Sequence, residues 1–281
     1  MQKQAVIWLN DYLVPLSQAR VSVEDRGFLY GDGFFETLRA DDGRVLFLDE
    51  HLKRLYASAQ AFRLSLPVGV PWEKRLHELL AVNGLLAGCA AVKILLTRGQ
   101  ADGLGLSAPL TPTLVIYARP YMPESPVEYA NGWPVVVFPE RRTTFMGRHK
   151  SLNYLFYLAA RQYALDRGAR EALILEADGS VSEGAATSLV VLHHDRLMTP
   201  AADSALPGVT VAVLARALER RGKNLPRERL ELSQIEAAAG LWLANSLMGL
   251  MPVASLDGKP VAQASETFQL LKECLAREAS R

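Results

Sequence analysis

Apolar positions along this chain follow two periods, and the changes between them mark the elements. Near the N-terminus the period is short. Ala5-Val-Ile-Trp-Leu9 and Tyr12-Leu-Val14 flank Asn10-Asp11, which predicts a hairpin. Gly27, Gly31 and Gly33 precede Phe34-Phe-Glu-Thr-Leu38, predicting tight backbone and then a strand over about 33–40. Asp41-Asp42-Gly43 reads as a turn, with Val45-Leu-Phe-Leu48 pairing back. The period then lengthens. Leu52, Leu55, Ala59 and Phe62 recur at helical steps, with Asp49 as candidate N-cap. A second helix is expected over about 71–86, with Pro71 in its first turn. Val92–Thr97 and Thr113–Tyr117 read as strands. Between them, 98–112 reads as a long loop with a binding role.

Pro120, Pro123 and Pro126 crowd the best linker candidate. The expected division is an N-terminal α/β domain over 1–120, a linker over 121–131 and a C-terminal domain over 132–281. In the second part, strands are expected over 133–138, 171–176, 187–192 and 241–244, and helices over about 152–167, 208–222 and 264–278. Pro252–Leu256 and the Asp257-Gly258 turn predict a hairpin. Hairpins rather than βαβ repeats dominate the first part, which argues against a doubly wound dinucleotide fold. The expected class is α/β in the broad sense, of the α+β kind. Gly31-Asp-Gly33 lacks the third glycine of a dinucleotide fingerprint, and Gly103-Leu-Gly105-Leu-Ser107 is not a nucleophile elbow.

Composition narrows the class further. The 281 residues are 49% hydrophobic and 22% charged, an ordinary globular balance. Lysine and arginine number 31 against 30 acids. A net charge of +1 offers no footprint for nucleic acid or an anionic membrane. The two cysteines, Cys89 and Cys274, have no metal-ligand or CxxC spacing, and a reducing cytoplasm is expected. The N-terminal apolar run is too short and interrupted to read as a signal peptide or membrane helix. None of the five histidines has metal spacing, so no metal is expected.

The candidate chemistry starts from Lys150 and Glu183. Lys150 precedes an amphipathic helix, and Glu183 follows the Asp178-Gly179 turn. Taken alone, such a lysine reads as solvated. As a pair they are the amine and the anion that pyridoxal phosphate chemistry uses, one for a Schiff base and one for the ring nitrogen. Leu206-Pro-Gly-Val-Thr210 opens a helix, where backbone donors suit a phosphate, and it also reads as a plain helix start. Asn245-Ser246 offers a hydroxyl at a strand end. Arg54 lies on a helix face, where arginines are ordinarily solvated or paired.

Taken together, six segments resemble the class IV aminotransferases, the fold type IV pyridoxal phosphate enzymes. They are Tyr30-Gly-Asp-Gly-Phe-Phe-Glu36, Glu50-His-Leu-Lys-Arg54, Lys150-Ser-Leu-Asn153, Asp178-Gly-Ser-Val-Ser-Glu-Gly184, Leu206-Pro-Gly-Val-Thr210 and Asn245-Ser-Leu-Met-Gly-Leu-Met-Pro-Val253. The resemblance runs over nearly the whole chain. It implies a two-domain fold, with a smaller N-terminal sheet-plus-helices domain and a larger C-terminal domain that is a mixed, barrel-like sheet and binds the cofactor. The implied cofactor is pyridoxal 5'-phosphate. Lys150 would form the Schiff base and shuttle protons, and Glu183 would hold the ring nitrogen protonated. Arg54, Val209, Thr210 and Ser246 would hold the phosphate, and Tyr30 and Phe35 would face a small amine substrate. A homodimer, with the site near the partner subunit, is implied as well.

Three features resemble the 4-amino-4-deoxychorismate lyase branch: Lys150-Ser-Leu-Asn153, Phe34-Phe-Glu-Thr-Leu-Arg39 and the Asn245–Val253 stretch. That branch makes 4-aminobenzoate and pyruvate in folate biosynthesis. The alternatives are an aminotransferase of D-amino acids, branched-chain amino acids or amines, or a member that binds the cofactor without turnover. The loop after Thr97-Arg-Gly99 lacks the further arginine of the lyases and the arginine–histidine pair of D-amino acid aminotransferases, and Val211 stands where the family has arginine. Arg98 and Arg39 are the remaining candidates for a substrate carboxylate, each with a structural reading beside it.

Overall fold

The computed structural model describes residues 5–65, 69–107 and 111–280. The chain divides into two compact units, one of 1–123 with 149–153, the other of 124–148 with 154–281.

The first unit is an antiparallel sheet with helices on one face. β1 (Val6–Leu9) and β2 (Tyr12–Pro15) form the expected hairpin, with Asn10 at a φ of 53° in the turn. The three glycines frame a short helix the periodicity missed, α1 (Arg26–Tyr30). Asp25 caps it by accepting from the Gly27 N–H at 2.7 Å, and Gly31 ends it in the left-handed region. β3 (Gly33–Asp41), β4 (Arg44–Val45), α2 (Leu48–Ala61), α3 (Trp72–Val82), β5 (Cys89–Gln100) and β6 (Thr111–Pro120) follow. The strand order is β2-β1-β6-β5-β3-β4, antiparallel throughout. Alternate residues Phe34, Leu38 and Ala40 of β3 and Val92, Ile94 and Leu96 of β5 pack in one core with Leu55, Leu76 and Leu79 of the helices. Each such side chain contributes about 1.5–3 kcal/mol by leaving water.

Four expectations shift here. The strand over 45–48 stops at Val45, because Phe47 adopts a φ of 54° and turns the chain into α2. Asp49 is therefore not the N-cap; it stands with Glu50 in the first turn, where carboxylates complement the helix dipole. The expected 71–86 helix ends at Val82, where Asn83 Nδ2 takes the Leu79 carbonyl and Gly84 turns at a φ of 72°. The loop over 98–112 is shorter than expected, since β5 and β6 run on to Gln100 and back from Thr111 through an irregular register. Gly99 permits this: it has a φ of 67°, and an added Cβ would stand 1.8 Å from the Thr111 carbonyl oxygen. Residues 108–110 of that loop lie outside the described residues.

The second unit is built on a nine-stranded mixed sheet. It opens with α4 (Pro126–Asn131), which occupies part of the expected 121–131 linker and is fixed by a Ser125–Glu128 capping box. β7 (Trp133–Val137), α5 (Leu155–Leu165), β8 (Glu171–Leu175), β9 (Val181–Gly184), β10 (Ser188–His193) and β11 (Arg196–Pro200) come next. α6 (Val209–Glu219), β12 (Arg227–Glu228), α7 (Leu232–Glu236), β13 (Gly240–Asn245), β14 (Gly249–Leu256), β15 (Lys259–Pro260) and α8 (Ser265–Ala279) complete it. The order is β12-β11-β10-β13-β14-β7-β8-β9, with β15 beside β14. Pairing is parallel at β7–β8, β7–β14 and β11–β12. The two ends are tied where the Val181 N–H donates to the Leu230 carbonyl at 2.8 Å, which gives the barrel-like curl. One face buries Leu173, Leu189, Leu243 and Met251; alternate residues Val190 and Trp242 pack with Leu214 of α6 and Leu271 of α8. The helix expected from 152 starts at Leu155, leaving Lys150 on an extended segment.

Candidate active site

Four of the expected site residues lie in the first unit: Tyr30, Phe35, Arg54 and Lys150. The segment carrying Lys150 lies along the N-terminal end of β3. The Phe35 N–H donates to the Lys150 carbonyl at 2.8 Å, and the Leu152 N–H to the Gly33 carbonyl at 2.9 Å. Gly33 is needed for that approach, since an added Cβ would stand 2.6 Å from the Leu96 carbonyl oxygen and 2.9 Å from Leu152 Cδ1. Asn153 Nδ2 donates to the Gly31 carbonyl at 3.0 Å. Strand-like backbone thus fixes Lys150, and its Nζ stands 4.7 Å from the Phe35 ring centroid.

Behind that strand, Glu36 is wholly buried and accepts from three nitrogens. Arg54 donates through Nε at 2.8 Å and Nη2 at 2.6 Å, and His51 Nδ1 stands 2.6 Å from Oε2. Burial alone would raise the Glu36 pKa, but the bonds from Arg54 and His51 prevail and hold it near 2. Burial pushes His51 the other way, below its usual value, despite the carboxylate beside it. A neutral imidazole donating from Nδ1 fits both facts, and its buried Nε2 has no partner. The guanidinium plane of Arg54 is thereby fixed.

Tyr30 is 54% exposed at the end of α1, with the Arg26 guanidinium 5.3 Å from its ring centroid. No ring contact joins it to Phe35 among the described residues. Arg98 serves the fold rather than a substrate carboxylate. It is fully buried, pairs with both Asp32 oxygens, and donates to the carbonyls of Phe62, Arg63 and Ser107. Arg39 pairs with Asp41 at 2.7 Å. Lys93 is the cation that sequence reasoning missed. It is half-buried, its Nζ stands 4.5 Å from the Phe35 ring centroid, and no carboxylate lies within ion-pair reach among the described residues. Burial first, and Arg119 second, lower its pKa. Its signal was a lysine interrupting the apolar run Ala90-Ala-Val-Lys-Ile-Leu-Leu96.

The other four, Glu183, Val209, Thr210 and Ser246, lie in the second unit. Glu183 is buried on β9. Its Oε1 accepts from the Tyr157 hydroxyl at 2.6 Å and its Oε2 from the Leu206 N–H at 3.0 Å. Arg142 donates to the same Tyr157 hydroxyl, and its Nη2 is 3.6 Å from Glu183 Oε1. Burial first, then the Glu183 charge, push the Tyr157 pKa well above the usual phenol range. Neither Tyr157 nor Arg142 was singled out in the sequence.

Val209 and Thr210 form the buried first turn of α6. Gly208 is its N-cap and supplies no side-chain cap. An added Cβ there would stand 2.4 Å from Ser188 Oγ. An uncapped helix start floored by glycine suits a phosphate dianion. Ser246 is half-buried in the turn after β13, where Asn245 Oδ1 accepts from the N–H groups of Leu247 at 3.0 Å and Met248 at 2.9 Å. An anchored lysine, a donor-bound buried carboxylate and an uncapped glycine-floored helix start fit pyridoxal phosphate. No acid, histidine and cysteine cluster suited to a metal occurs among the described residues, and no described helix is long and apolar enough to cross a membrane.

Residues 33–256 match the family model described as amino-transferase class IV. A protein of Methanocaldococcus jannaschii, provisionally named a branched-chain-amino-acid aminotransferase, is 34% identical over 95% of this chain and 94% of its own. The D-alanine aminotransferase of Bacillus licheniformis is 28% identical over 92% of this chain and 91% of its own. A solved structure from Legionella pneumophila, provisionally named a 4-amino-4-deoxychorismate lyase, shares the fold with a TM-score of 0.86 at 24% identity, over 94% of this chain and 97% of that one.

Proposed function

The chain belongs to the class IV aminotransferases, a family of pyridoxal-phosphate-dependent enzymes, and from that premise we propose that it removes a proton from the amine-bearing carbon of an anionic substrate and then expels enolpyruvate. The substrate of this reading is 4-amino-4-deoxychorismate and the products are 4-aminobenzoate and pyruvate. Bound pyridoxal phosphate supplies the electron sink for such a deprotonation. Lys150 would supply the amine that holds the cofactor and the base that takes the proton. The backbone bonds of Phe35 to Lys150 and of Leu152 to Gly33 aim it. Glu183 would hold the ring nitrogen, Arg54 and the α6 start with Val209 and Thr210 would hold the phosphate, and Ser246 would add a hydroxyl. Phe35 and Tyr30 face the substrate.

The observation that carries an anionic substrate is Lys93, a half-buried cation with no acid partner among the described residues, on the same Phe35 ring as Lys150. The lyase outcome is supported by the Asn245-Ser-Leu-Met-Gly249 turn, which resembles that branch and is locked by the Asn245 side chain. The second reading, an aminotransferase of branched-chain or D-amino acids, is favoured by the names of the two sequence relatives. A homodimer in the cytoplasm belongs to the proposal. Light scattering on purified protein tests it.

Two assays on holoenzyme separate the readings. Release of 4-aminobenzoate from 4-amino-4-deoxychorismate, with little change in the cofactor band on adding D-alanine or leucine, is the expected result. Rapid, complete conversion of the band by either amino acid, without 4-aminobenzoate release, overturns the lyase in favour of the aminotransferase. Before either, the protein should purify yellow, and borohydride should bleach it and add the cofactor's mass at Lys150.

A further inference from the structure

Glu183 is backed by two side chains that holding a cofactor does not in itself require. Tyr157, on α5, donates its one hydroxyl proton to Glu183 Oε1 at 2.6 Å. The direction of that bond is fixed from behind. Arg142 has only N–H groups to offer and donates to the same phenol oxygen, so the Tyr157 proton points to the carboxylate. The guanidinium is itself held in place. It lies over the Tyr157 and Phe156 rings at 4.4 and 4.5 Å, and the Arg142 backbone N–H donates to the Leu175 carbonyl at 3.2 Å. The other carboxylate oxygen takes the Leu206 N–H, so both oxygens have a fixed donor and the carboxylate plane is set.

We propose that Tyr157, backed by Arg142, is a positioning residue that keeps Glu183 ionised and aimed, so that the proton shared with the cofactor's ring nitrogen stays on the nitrogen. The inference rests on the reading of Glu183 as the ring-nitrogen partner. Donors to a carboxylate stabilise its charged form and weaken it as a base. A weaker base beside a pyridinium leaves the proton where the electron sink needs it. Tyr157 keeps its own proton through this range, because burial and the neighbouring carboxylate both oppose its ionisation. A purely structural role would ask only for the aromatic ring that packs beside Phe156 and Arg142.

The test uses holoenzyme reconstituted with cofactor isotope-labelled at the ring nitrogen, in wild type, Tyr157→Phe, Arg142→Gln and Glu183→Gln. The nitrogen resonance is read by NMR at neutral pH, together with kcat and KM for whichever substrate turns over. Tyr157→Phe should load cofactor fully and keep its helical circular dichroism. Its ring nitrogen should move toward the unprotonated position, in the direction of Glu183→Gln but less far. Loss of one bond to a charged acceptor should lower kcat about tenfold with KM within about twofold. A Tyr157→Phe resonance and kcat equal to wild type, with Glu183→Gln clearly shifted, overturns the proposal and leaves the reading of Glu183 standing. A Glu183→Gln resonance equal to wild type overturns that reading, and the proposal with it. Should Tyr157→Phe not fold, Arg142→Gln keeps the tyrosine ring and is judged by the same shifts.

Discussion

Glu36 and His51 respond to pH in a way that follows from burial and hydrogen bonding. The Glu36 pKa falls from 4.5 to about 2 in the folded chain. Its stabilisation is therefore fully present above about pH 4.5 and lost as the pH falls through about 2. His51 is held below its usual value, so the unfolded chain takes up its proton first and stability also falls as pH drops below 6.5. Denaturant midpoints measured against pH should show both losses, and Glu36→Gln should flatten the acid limb. The same variant frees the guanidinium of Arg54, and cofactor affinity should weaken about tenfold, as expected for one charge-assisted pair. Lys93 gives a separate test. Lys93→Met should raise KM about tenfold for an anionic substrate while kcat stays nearly constant, since the contact would serve ground state and transition state alike. An unchanged KM would remove Lys93 from the substrate. Legibility at this scale was uneven. Lys150, Glu183 and Gly208 carry motif context and could be picked out. Tyr157 and Arg142 could not, because nothing in a helical Tyr or a loop Arg announces a carboxylate distant in sequence. Arg98 misled for the same reason: its acceptors are Asp32 and carbonyls that only the fold brings to it.

At the scale of elements, the periodicity located most strands and long helices, and the boundaries moved where local geometry outweighed it. α2 begins one residue before Asp49 because Phe47 takes a left-handed turn that no pattern of polarity encodes. β5 and β6 extend because Gly99 absorbs a bulge, so a loop signal became a strand kink. α1 and α4 were missed because five or six residues are too few to show a period. The start of α6 is the element with the sharpest consequence. Gly208 has an ordinary negative φ, so alanine there is not strained by its backbone. The objection is steric: its Cβ would stand 2.4 Å from Ser188 Oγ and 3.2 Å from Ser188 Cβ. Gly208→Ala should shift the first turn and weaken cofactor binding about tenfold, with an overpacking cost of about 1–3 kcal/mol. Gly208→Ala combined with Ser188→Ala removes the closer of the two contacts and should recover most of the affinity. Fluorescence titration with pyridoxal phosphate reads both, and a double variant no better than the single would show that the serine oxygen is not the obstacle.

The chain folds as two units, each with its own core, and ligand binding to either should report on stability. The net charge is only +1, so a phosphorylated ligand gains little from the overall field and must be held by local donors. In the proposed assignment those donors are Arg54 and the α6 start. Ligand binding to the folded state adds about 2.7 kcal/mol when free ligand is a hundred times its Kd. Per kcal/mol, a chain somewhat larger than about 200 residues gains about 2–4 °C in Tm. Pyridoxal phosphate should therefore raise the Tm of wild type in a concentration-dependent way. Lys150→Ala separates the two kinds of attachment. If Arg54, Glu183 and α6 hold the cofactor by themselves, that variant should still be stabilised, with the Tm rise displaced to higher ligand concentration and no borohydride-trapped adduct. A Tm indifferent to pyridoxal phosphate in Lys150→Ala, with a normal rise in wild type, would mean that the covalent bond alone retains the cofactor. The donor groups assigned to phosphate and ring would then have to be reassigned.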